Sequence, residues 1–306
     1  FRTSIRAEGF KKCPVCFPVI ASIPEQELFE FVSSLGKNVI RNNRTIIPPL
    51  ELDIVIPDIK LAIELNGLYW HSFQMGKDEN YHLDKTIKTI EAGYFLMHIF
   101  EDEWINKRDI AESVIKSRFG IFDRRVFARN CEIRDVNLKD AKKFFEENHL
   151  QGYVGSSVRI GLYEKGKDEL LSCLALGKSR FNAKYDWEIT RFASKINISV
   201  VGGFSKLWSY FLKNHEGNII TYSDRRLFDG GVYRNNGFTE LEPSVPNYFY
   251  FKGNRERWSR VKFQKHKLES LLEDFNSDLT EKENMEKNGY GWIYDCGNWV
   301  FIYEKK

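Results

Sequence analysis

Two short runs on either side of Pro57-Asp58 constrain the fold of this chain more than any other feature. Residues 51–56 (ELDIVI) and 60–66 (KLAIELN) alternate apolar and polar side chains, as β-strands do. The Pro-Asp pair is a turn signal, so we predict a β-hairpin. Asp53 lies in the first strand and Glu64 in the second. Directly opposed residues of paired strands lie within about 5 Å of each other, so the two carboxylates could share a cation.

Helical patterns surround this hairpin. They predict a helix over ASIPEQELFEFVSSLG (21–36), with Ser22 as its cap, and another over DENYHLDKTIKTIEAG (78–93). A short buried strand, YFLMHIF, follows the second helix, and a further helix is expected from about Asp102 to Arg118. The order helix, two strands, helix, strand, helix predicts a compact α/β unit with a small mixed sheet.

The pattern restarts after a basic-aromatic stretch at residues 118–130. We predict a linker at 119–130 and a second, α+β domain at 131–306. Its elements include a hairpin around Gly166 and a Gly-Gly turn that opens a helix near residue 203. GWIYDCGNWVFIYEKK (291–306) is expected to close the chain as a hairpin with an Asp-Cys-Gly-Asn turn.

Composition narrows the class of protein. A length of 306 residues with 42% hydrophobic residues supports two packed domains rather than disorder. No apolar run approaches the roughly 20 residues that span a bilayer, so no membrane partner is expected. Five cysteines, at positions 13, 16, 131, 173 and 296, form no disulfide framework, which predicts a reducing, intracellular setting such as the cytoplasm of an infected or host cell.

The segment KKCPVCFP near the beginning of the chain contains half of a zinc ribbon. Cys13 and Cys16 would present two thiolates to one Zn²⁺, and a second ligand pair would have to come from elsewhere. The alternative is an ordinary turn. We therefore treat residues 1–20 as a partial zinc-ribbon-like knuckle.

The first unit contains the residue types that metal-assisted phosphodiester cleavage needs. Asp53 and Glu64 could hold Mg²⁺ or Mn²⁺. His71 could handle a proton, and His82 and Lys85, three apart on a helix, could do so or steady a phosphate. Each residue taken alone fits ordinary surface or core polarity. Their convergence on neighbouring elements favours a nuclease site.

The second unit carries cations interleaved with aromatic residues. KGNRERWSRVKFQKHK (252–267) holds seven Lys or Arg against one Glu. Cations give affinity for DNA phosphates, and aromatic rings stack on bases. The alternative is a solvated helix whose charges pair with the acidic stretch that follows. The candidate DNA contacts are Arg225, Arg226, Arg255, Arg257, Arg260, Lys262, Lys265 and Lys267.

The ordered set PEQELFEFVSSLG, ELDIVIP and NGLYWHS resembles the very-short-patch-repair (Vsr-like) endonucleases, and more closely the phage homing endonucleases of that fold, a variant of the PD-(D/E)XK nuclease core. The resemblance covers about residues 20–118. It implies that Glu25 is the helix-borne acid, Asp53 the main metal ligand and His71 the histidine after the tryptophan. Asn66 stands where the repair enzymes have a first histidine, and ELN replaces the expected Glu-x-Lys. Lys85 could supply that missing charge from the helix.

The segments YDWEITRFAS, VVGGFSKLWSYF and YSDRRLFDGGVYRNNGF resemble the core of GNAT-type acyltransferases. That family would place a pyrophosphate near residues 201–205. The glycine pattern departs from the family's, so acyl-CoA is not expected as a cofactor and the domain is interpreted as a DNA-docking scaffold.

These observations together predict a Mg²⁺-dependent, phage-type homing endonuclease that acts on double-stranded DNA. Two alternatives stay open: a GNAT-type acyltransferase acting on DNA or on a DNA-bound protein, and a non-catalytic DNA-binding protein with a decayed nuclease core.

Overall fold

The computed structural model describes residues 22–253 and 255–305, which fold into mixed α/β structure. The elements of the first half are α1 (Ile23–Ser34), β1 (Ile40–Asn43), β2 (Leu52–Ile56), β3 (Leu61–Asn66), α2 (Tyr81–Glu91), β4 (Phe95–Phe100), α3 (Glu101–Asn106) and α4 (Arg108–Arg118). The predicted α/β class is confirmed, and so are the first two helices, the hairpin and the buried strand.

The second half continues the alternation of strands and helices. Its elements are β5 (Arg124–Phe127), β6 (Cys131–Asp135), α5 (Leu138–Asn148), β7 (Val158–Glu164), β8 (Leu170–Lys178), β9 (Trp187–Ser194), β10 (Ile198–Val201), α6 (Gly203–Asn214), β11 (Ile219–Asp224), α7 (Gly231–Arg234), β12 (Thr239–Leu241), β13 (Tyr248–Phe251), β14 (Arg257–Ser259), α8 (Glu281–Lys287), β15 (Gly291–Tyr294) and β16 (Asn298–Tyr303).

The first sheet has the order β1-β2-β3-β4, with β3 and β4 parallel and the other pairs antiparallel. Ile54 lies opposite Ile63 and Ile56 opposite Leu61, which sets the hairpin register. A short 3-10 turn at Pro57–Ile59 joins the strands, as the Pro-Asp signal predicted. α1 begins where its cap was expected, since the Ser22 side chain accepts a hydrogen bond from the Glu25 amide.

The two faces of this sheet differ in chemistry. One face packs against α1, α3 and α4 in an apolar core that includes Leu28, Val32, Ile54, Ile56, Leu61, Ile63, Leu65, Trp104, Ile110 and Ile115. On the other face of β3, Ala62, Glu64 and Asn66 are buried as well. The alternation in KLAIELN therefore does not separate core from solvent. It separates an apolar interior from a polar one that α2 covers.

The main sheet of the second half has the order β12-β16-β11-β9-β8-β7-β6. α6 packs on one face through Phe204, Leu207, Trp208 and Phe211. α5 packs on the other face through Phe144 and Phe145. β9 and β11 run parallel and pair over Trp187–Ile189 and Ile219–Thr221. Beyond those residues the two strands diverge.

A small sheet in the order β14-β13-β15 forms, together with α8, a module at residues 247–294, which we call the β13–β15 module. Its core contains Tyr250, Phe263, Leu268, Met285 and Trp292. The segment at 252–267 lies in this module as β14 and 3-10 turns, rather than as a solvated helix.

The predicted C-terminal hairpin is wrong. β15 pairs with β13, whereas β16 pairs with β11 and β12 in the main sheet. The chain changes sheets at Asp295–Gly297, where Asp295 accepts hydrogen bonds from the Asn247 and Gly297 amides at 2.7 and 2.8 Å. Gly297 has φ +72°, and a Cβ there would lie 2.2 Å from the Ser244 carbonyl oxygen. The turn-like composition thus marks a crossing between sheets.

Two further boundaries differ from expectation. The helix expected from Asp102 to Arg118 is broken at Lys107, which leaves helical geometry (φ −132°, ψ 41°) and donates a side-chain hydrogen bond to the Leu150 carbonyl. The segment predicted as a linker contains β5, which pairs in parallel with β10.

A buried ion network joins the halves. Glu103 binds Arg226 at 3.1 Å and also pairs with Arg257, while Asp224 binds Arg226 at 2.8 Å. Burial alone would raise the pKa of Glu103, but the two guanidinium groups outweigh it and lower that pKa to about 2. In the described ranges, no helix is long and apolar enough to cross a membrane.

We expect Glu103→Gln to lower the free energy of unfolding by about 2 kcal/mol, because the buried guanidinium groups lose their charge-assisted hydrogen bonds to Glu103, while Asp224 and Asp102 still pair with them. The loss should appear above about pH 4.5 and shrink as the pH falls towards 2. A carboxyl whose pKa is lowered by folding stabilises the fold only while it is ionised. Urea unfolding at several pH values measures this.

The control is Glu240→Gln, which removes the exposed pair with Arg234. It should cost no more than about 1 kcal/mol. Equal costs for the two variants would show that the network adds nothing to the stability of the junction.

Candidate active site

The hairpin brings Asp53 and Glu64 together on the polar face of the sheet. The Asp53 amide donates to Glu64 Oε1 at 3.0 Å, and the Leu65 amide donates to Asp53 Oδ2 at 3.0 Å. Each carboxylate therefore binds the backbone of the partner strand. Glu64 is fully buried, while Asp53 is partly exposed. This crossed arrangement fixes both acids at the open edge of the hairpin.

Lys85 reaches this pair from α2. Its Nζ lies 2.5 Å from Glu64 Oε2, and its side chain is 7% exposed. Burial alone would lower the pKa of Lys85, but the charges of Glu64 and Asp53 outweigh it and raise that pKa. The amine is therefore a fixed positive charge at the site.

The site has more negative than positive charge. Burial, followed by mutual repulsion, raises the pKa of Asp53 well above its ordinary range, and burial also raises the pKa of Glu64. Two carboxylates and one ammonium leave an excess negative charge when both acids are ionised. Such a cluster either retains a proton or attracts a further cation.

The donor set fits a hard divalent cation. Mg²⁺ uses oxygen ligands and typically takes only one or two carboxylates, with water and substrate phosphate completing its shell. Asn66, on the same face of β3 as Glu64, has a buried side-chain oxygen without a hydrogen-bond partner among the described residues. In those same ranges, no set of three or more His, Cys, Asp and Glu side chains is arranged as a metal cage. Asp53 and Glu64 are accordingly the protein ligands that would hold Mg²⁺.

Glu25, the helix-borne acid of the predicted site, lies at the beginning of α1. It pairs with Arg41 at 3.1 Å, and its negative charge contributes to the raised pKa of Asp53. The structure thus places Glu25 within electrostatic reach of Asp53, with its carboxylate held by an arginine of β1.

Two predicted histidines stack on each other within electrostatic reach of Lys85. His71 Nδ1 lies 3.4 Å from His82 Nε2, with the ring planes 18° apart. Burial, followed by the charge of Lys85, lowers the pKa of His71 to about 4. Burial also holds the pKa of His82 well below its ordinary value. Both imidazoles are therefore neutral at pH 7, and His71 is the partly exposed one.

Sequence reasoning missed a third imidazole, His98, in the middle of β4. His98 Nδ1 lies 3.1 Å from Asn66 Nδ2, and His98 Nε2 lies 2.8 Å from Thr86 Oγ1. Thr86 in turn donates to the His82 carbonyl. These partners assign a neutral His98 with its proton on Nε2. The available signal was a histidine inside an otherwise apolar strand.

The predicted DNA contacts divide into three groups. Arg226 and Arg257 are buried in the ion network with Glu103, so their guanidinium groups are occupied by carboxylates. Arg225 stacks on Trp299, with its guanidinium carbon 4.4 Å from the ring centre. The remaining cations lie at the surface of the β13–β15 module: Arg255, Arg260, Lys262 and Lys265 are exposed, and Lys267 is partly exposed.

The two other predicted sites are the cysteine knuckle and the Gly-Gly turn. Cys13 and Cys16 lie outside the described residues. The segment near residues 201–205 does form a turn into α6, with Gly202 at φ +75°, and β10 immediately before it is paired with β5.

Comparison with models of protein families gives no match, and comparison with curated proteins gives no significant match.

We expect Lys85→Met to raise the pKa of His71 from about 4 towards its ordinary value near 6.5, because the ammonium charge opposes protonation. The shift should be partial, since burial remains the larger cause. Nitrogen chemical shifts of the imidazole, followed from pH 3 to 8 by NMR, measure it. Circular dichroism checks the fold.

Lys88→Met is the matched control, because Lys88 lies on the exposed side of the same helix. It should leave the titration of His71 unchanged. A His71 pKa near 6.5 in the unsubstituted protein would contradict the buried placement of this ring.

Proposed function

We propose that this chain is a metal-dependent DNA endonuclease of the Vsr-like, PD-(D/E)XK-related kind, as in phage homing endonucleases, with a GNAT-like second domain that helps dock the duplex. The observation that carries the proposal is the meeting of Asp53, Glu64 and Lys85 on one face of the hairpin. Two carboxylates with an excess negative charge suit Mg²⁺ or Mn²⁺, and a fixed amine suits a phosphate.

The roles of the residues follow from their positions. Asp53, which is partly exposed, and Glu64 would hold the metal, which when bound supplies Lewis-acid polarisation of the scissile phosphate. Lys85 holds Glu64 in place through their hydrogen bond, and its positive charge opposes the effect of burial on the pKa of Glu64. His71 is neutral at working pH, so with its Nδ1 directed at His82 the Nε2 atom can accept a proton from the attacking water.

The exposed cations of the β13–β15 module support a DNA substrate. Arg255, Lys262 and Lys265 are exposed on a module that packs against the loop carrying His71. Arg260 is exposed as well, but it pairs with Glu281 at 3.7 Å. Phosphate contacts by such side chains position the duplex without reading its sequence. Arg226 and Arg257 do not belong to this set, because their guanidinium groups pair with Glu103 and its neighbouring carboxylates in the buried ion network.

A GNAT-type acyltransferase is the second candidate. Two features favour it: the parallel strands β9 and β11 stop pairing after Ile189 and Thr221, and a glycine turn at Gly202 opens α6. This alternative predicts tight coenzyme A binding and an activity that does not depend on Asp53. A non-catalytic DNA-binding protein would instead bind DNA and cleave none with Mg²⁺ or Mn²⁺.

We expect Asp53→Asn to reduce plasmid cleavage in Mg²⁺ by at least about 100-fold, since even partners outside the metal shell are worth 10- to 100-fold. The amide keeps an oxygen for the Leu65 amide, so the fold should persist. Gel analysis of supercoiled plasmid, with Mg²⁺ and with EDTA, measures the loss.

Asp58→Asn is the matched control, because Asp58 lies in the exposed turn of the same hairpin. It should cleave like the unsubstituted protein. Undiminished cleavage by Asp53→Asn protein, or cleavage that persists in EDTA, would refute the proposed site.

We expect the double substitution Lys262→Gln/Lys265→Gln to weaken duplex binding and to reduce the slope of log affinity against log salt by up to about 1.8, because each phosphate that a lysine neutralises adds about 0.9 to that slope. Fluorescence anisotropy between 50 and 200 mM KCl measures this. Lys139→Gln/Lys142→Gln, on the exposed face of α5, removes the same charge elsewhere. Equal slopes for the two double variants would place the DNA on another surface.

A further inference from the structure

A separate pocket lies beside the candidate active site, between residues 67–76, which we call the His71 loop, and the β13–β15 module. Its volume is about 500 Å³. The loop contributes Tyr69 and Gln74, which stand on either side of His71 in the chain, and the module contributes Phe251 and Tyr290. A ligand held there would therefore contact the same loop that carries His71.

The pocket has aromatic walls. Tyr69, Phe251 and Tyr290 line it, and Tyr69 is 51% exposed. The Tyr290 ring is held in place by Phe263 and Trp258, with ring centres 5.4 and 5.9 Å away. Aromatic walls of this kind suit flat, unsaturated ligands, and stacking on tyrosine is a common way for proteins to hold an unpaired nucleobase.

Glycine backbone forms another part of the lining. A Cβ on Gly291 would lie 2.6 Å from the Phe251 ring and 3.0 Å from Gln74 Oε1, so a side chain there would displace both. Gly289 has φ +77°, which other residues rarely adopt. The pocket thus depends on backbone that approaches its aromatic and amide groups closely.

Two polar side chains line the pocket and would orient a ligand in it. Gln74 Oε1 accepts a hydrogen bond from the Trp292 amide at 3.1 Å, which fixes which end of the side-chain amide is the donor. No hydrogen bond from Gln74 Nε2 is present within the described ranges, so this N–H donor is available to a ligand. Glu286, an exposed carboxylate, also lines the pocket. One donor and one acceptor match the edge of a base, whereas the carboxylate disfavours a phosphate.

We infer that this pocket takes a single nucleobase turned out of the DNA duplex. The inference rests on the proposed nuclease function for its source of DNA. A volume of about 500 Å³ lies within the range of about 300–1,000 Å³ that is usual for small-ligand pockets. Stacking on Tyr69 and hydrogen bonding to Gln74 would offset the free energy that unstacking the base costs.

The test uses the four 2′-deoxynucleosides as free ligands of the full chain, titrated by saturation-transfer NMR. At least one nucleoside should bind. Tyr69→Leu should weaken that binding at least about fivefold, because the stacking surface is removed. Gln74→Glu keeps an oxygen for the Trp292 amide but replaces the donor with an acceptor. It should shift preference away from bases that present an acceptor at that point and towards those that present an amino group.

Gln264→Glu makes the same chemical change elsewhere in the module, where Gln264 contacts Lys267, and it should leave nucleoside binding unchanged. The inference is overturned if none of the four nucleosides binds. It is also overturned if the Tyr69→Leu and Gln74→Glu proteins both bind the nucleosides as the unsubstituted protein does. Plasmid cleavage by the same preparations reports separately on the nuclease. Cleavage without nucleoside binding refutes the proposed nucleobase pocket but not the nuclease function. Nucleoside binding without cleavage refutes the nuclease function but not the binding of a nucleobase in the pocket.

Discussion

The buried pair of Lys85 and Glu64 is the interaction on which the candidate site depends. Removing both charges from water costs several kcal/mol for each ion. A protein in which apolar residues of similar volume replace such a pair is often equally stable or more stable. The sheet already has an apolar core on its other face, so stability alone gives little reason to bury charge on this one. The pair does hold α2 in one register over β3, because a single hydrogen-bonded amine must meet a single carboxylate oxygen. That register also places His82 and Thr86 over the strands.

From that pair the polar interior extends to the second half of the chain. Asn66, His98 and Thr86 continue it along the polar face, and Thr86 Oγ1 lies 3.4 Å from the Cys296 thiol, at the crossing between sheets. The His98 amide donates to the Arg226 carbonyl at 3.1 Å, and the Arg226 guanidinium donates to the His98 carbonyl at 3.2 Å. The polar face of the first sheet is therefore closed by residues of the second half. A substitution that moves Arg226 is expected to shift β4, and with it His98.

Local signals in the sequence predicted the first half well and the junction poorly. The Pro57-Asp58 turn, the Ser22 cap and Gly93 after α2 each act through their immediate neighbours, so the hairpin and helices were found. Strand β1 was missed because IRNN has no alternating apolar pattern, and its pairing with β2 comes from the sheet. The meeting of Asp53 and Glu64 was predicted from the hairpin, whereas Lys85 reaches Glu64 from 21 residues away through the packing of α2 on the sheet. His98 was not predicted, since its role depends on Asn66 and Thr86, 32 and 12 residues away. Arg226 and Arg257 looked like surface cations because their partners, Glu103 and Asp102, lie more than 120 residues earlier.

The β13–β15 module belongs to the second half in sequence but packs against the first. At its base, the Asn247 and Asp295 backbones are joined by a hydrogen bond of 2.8 Å. Its contacts with the first half include the stacked rings of Phe73 and Trp292, with centres 4.9 Å apart, and the pairing of Arg257 with Asp102. Phe249, Phe251 and Ile293 share an apolar cluster with Leu68 and Phe100. The His71 loop is thus braced by a module that also carries the exposed cations. Under the proposed function, DNA bound to those cations would lie on a module that contacts the His71 loop through Trp292.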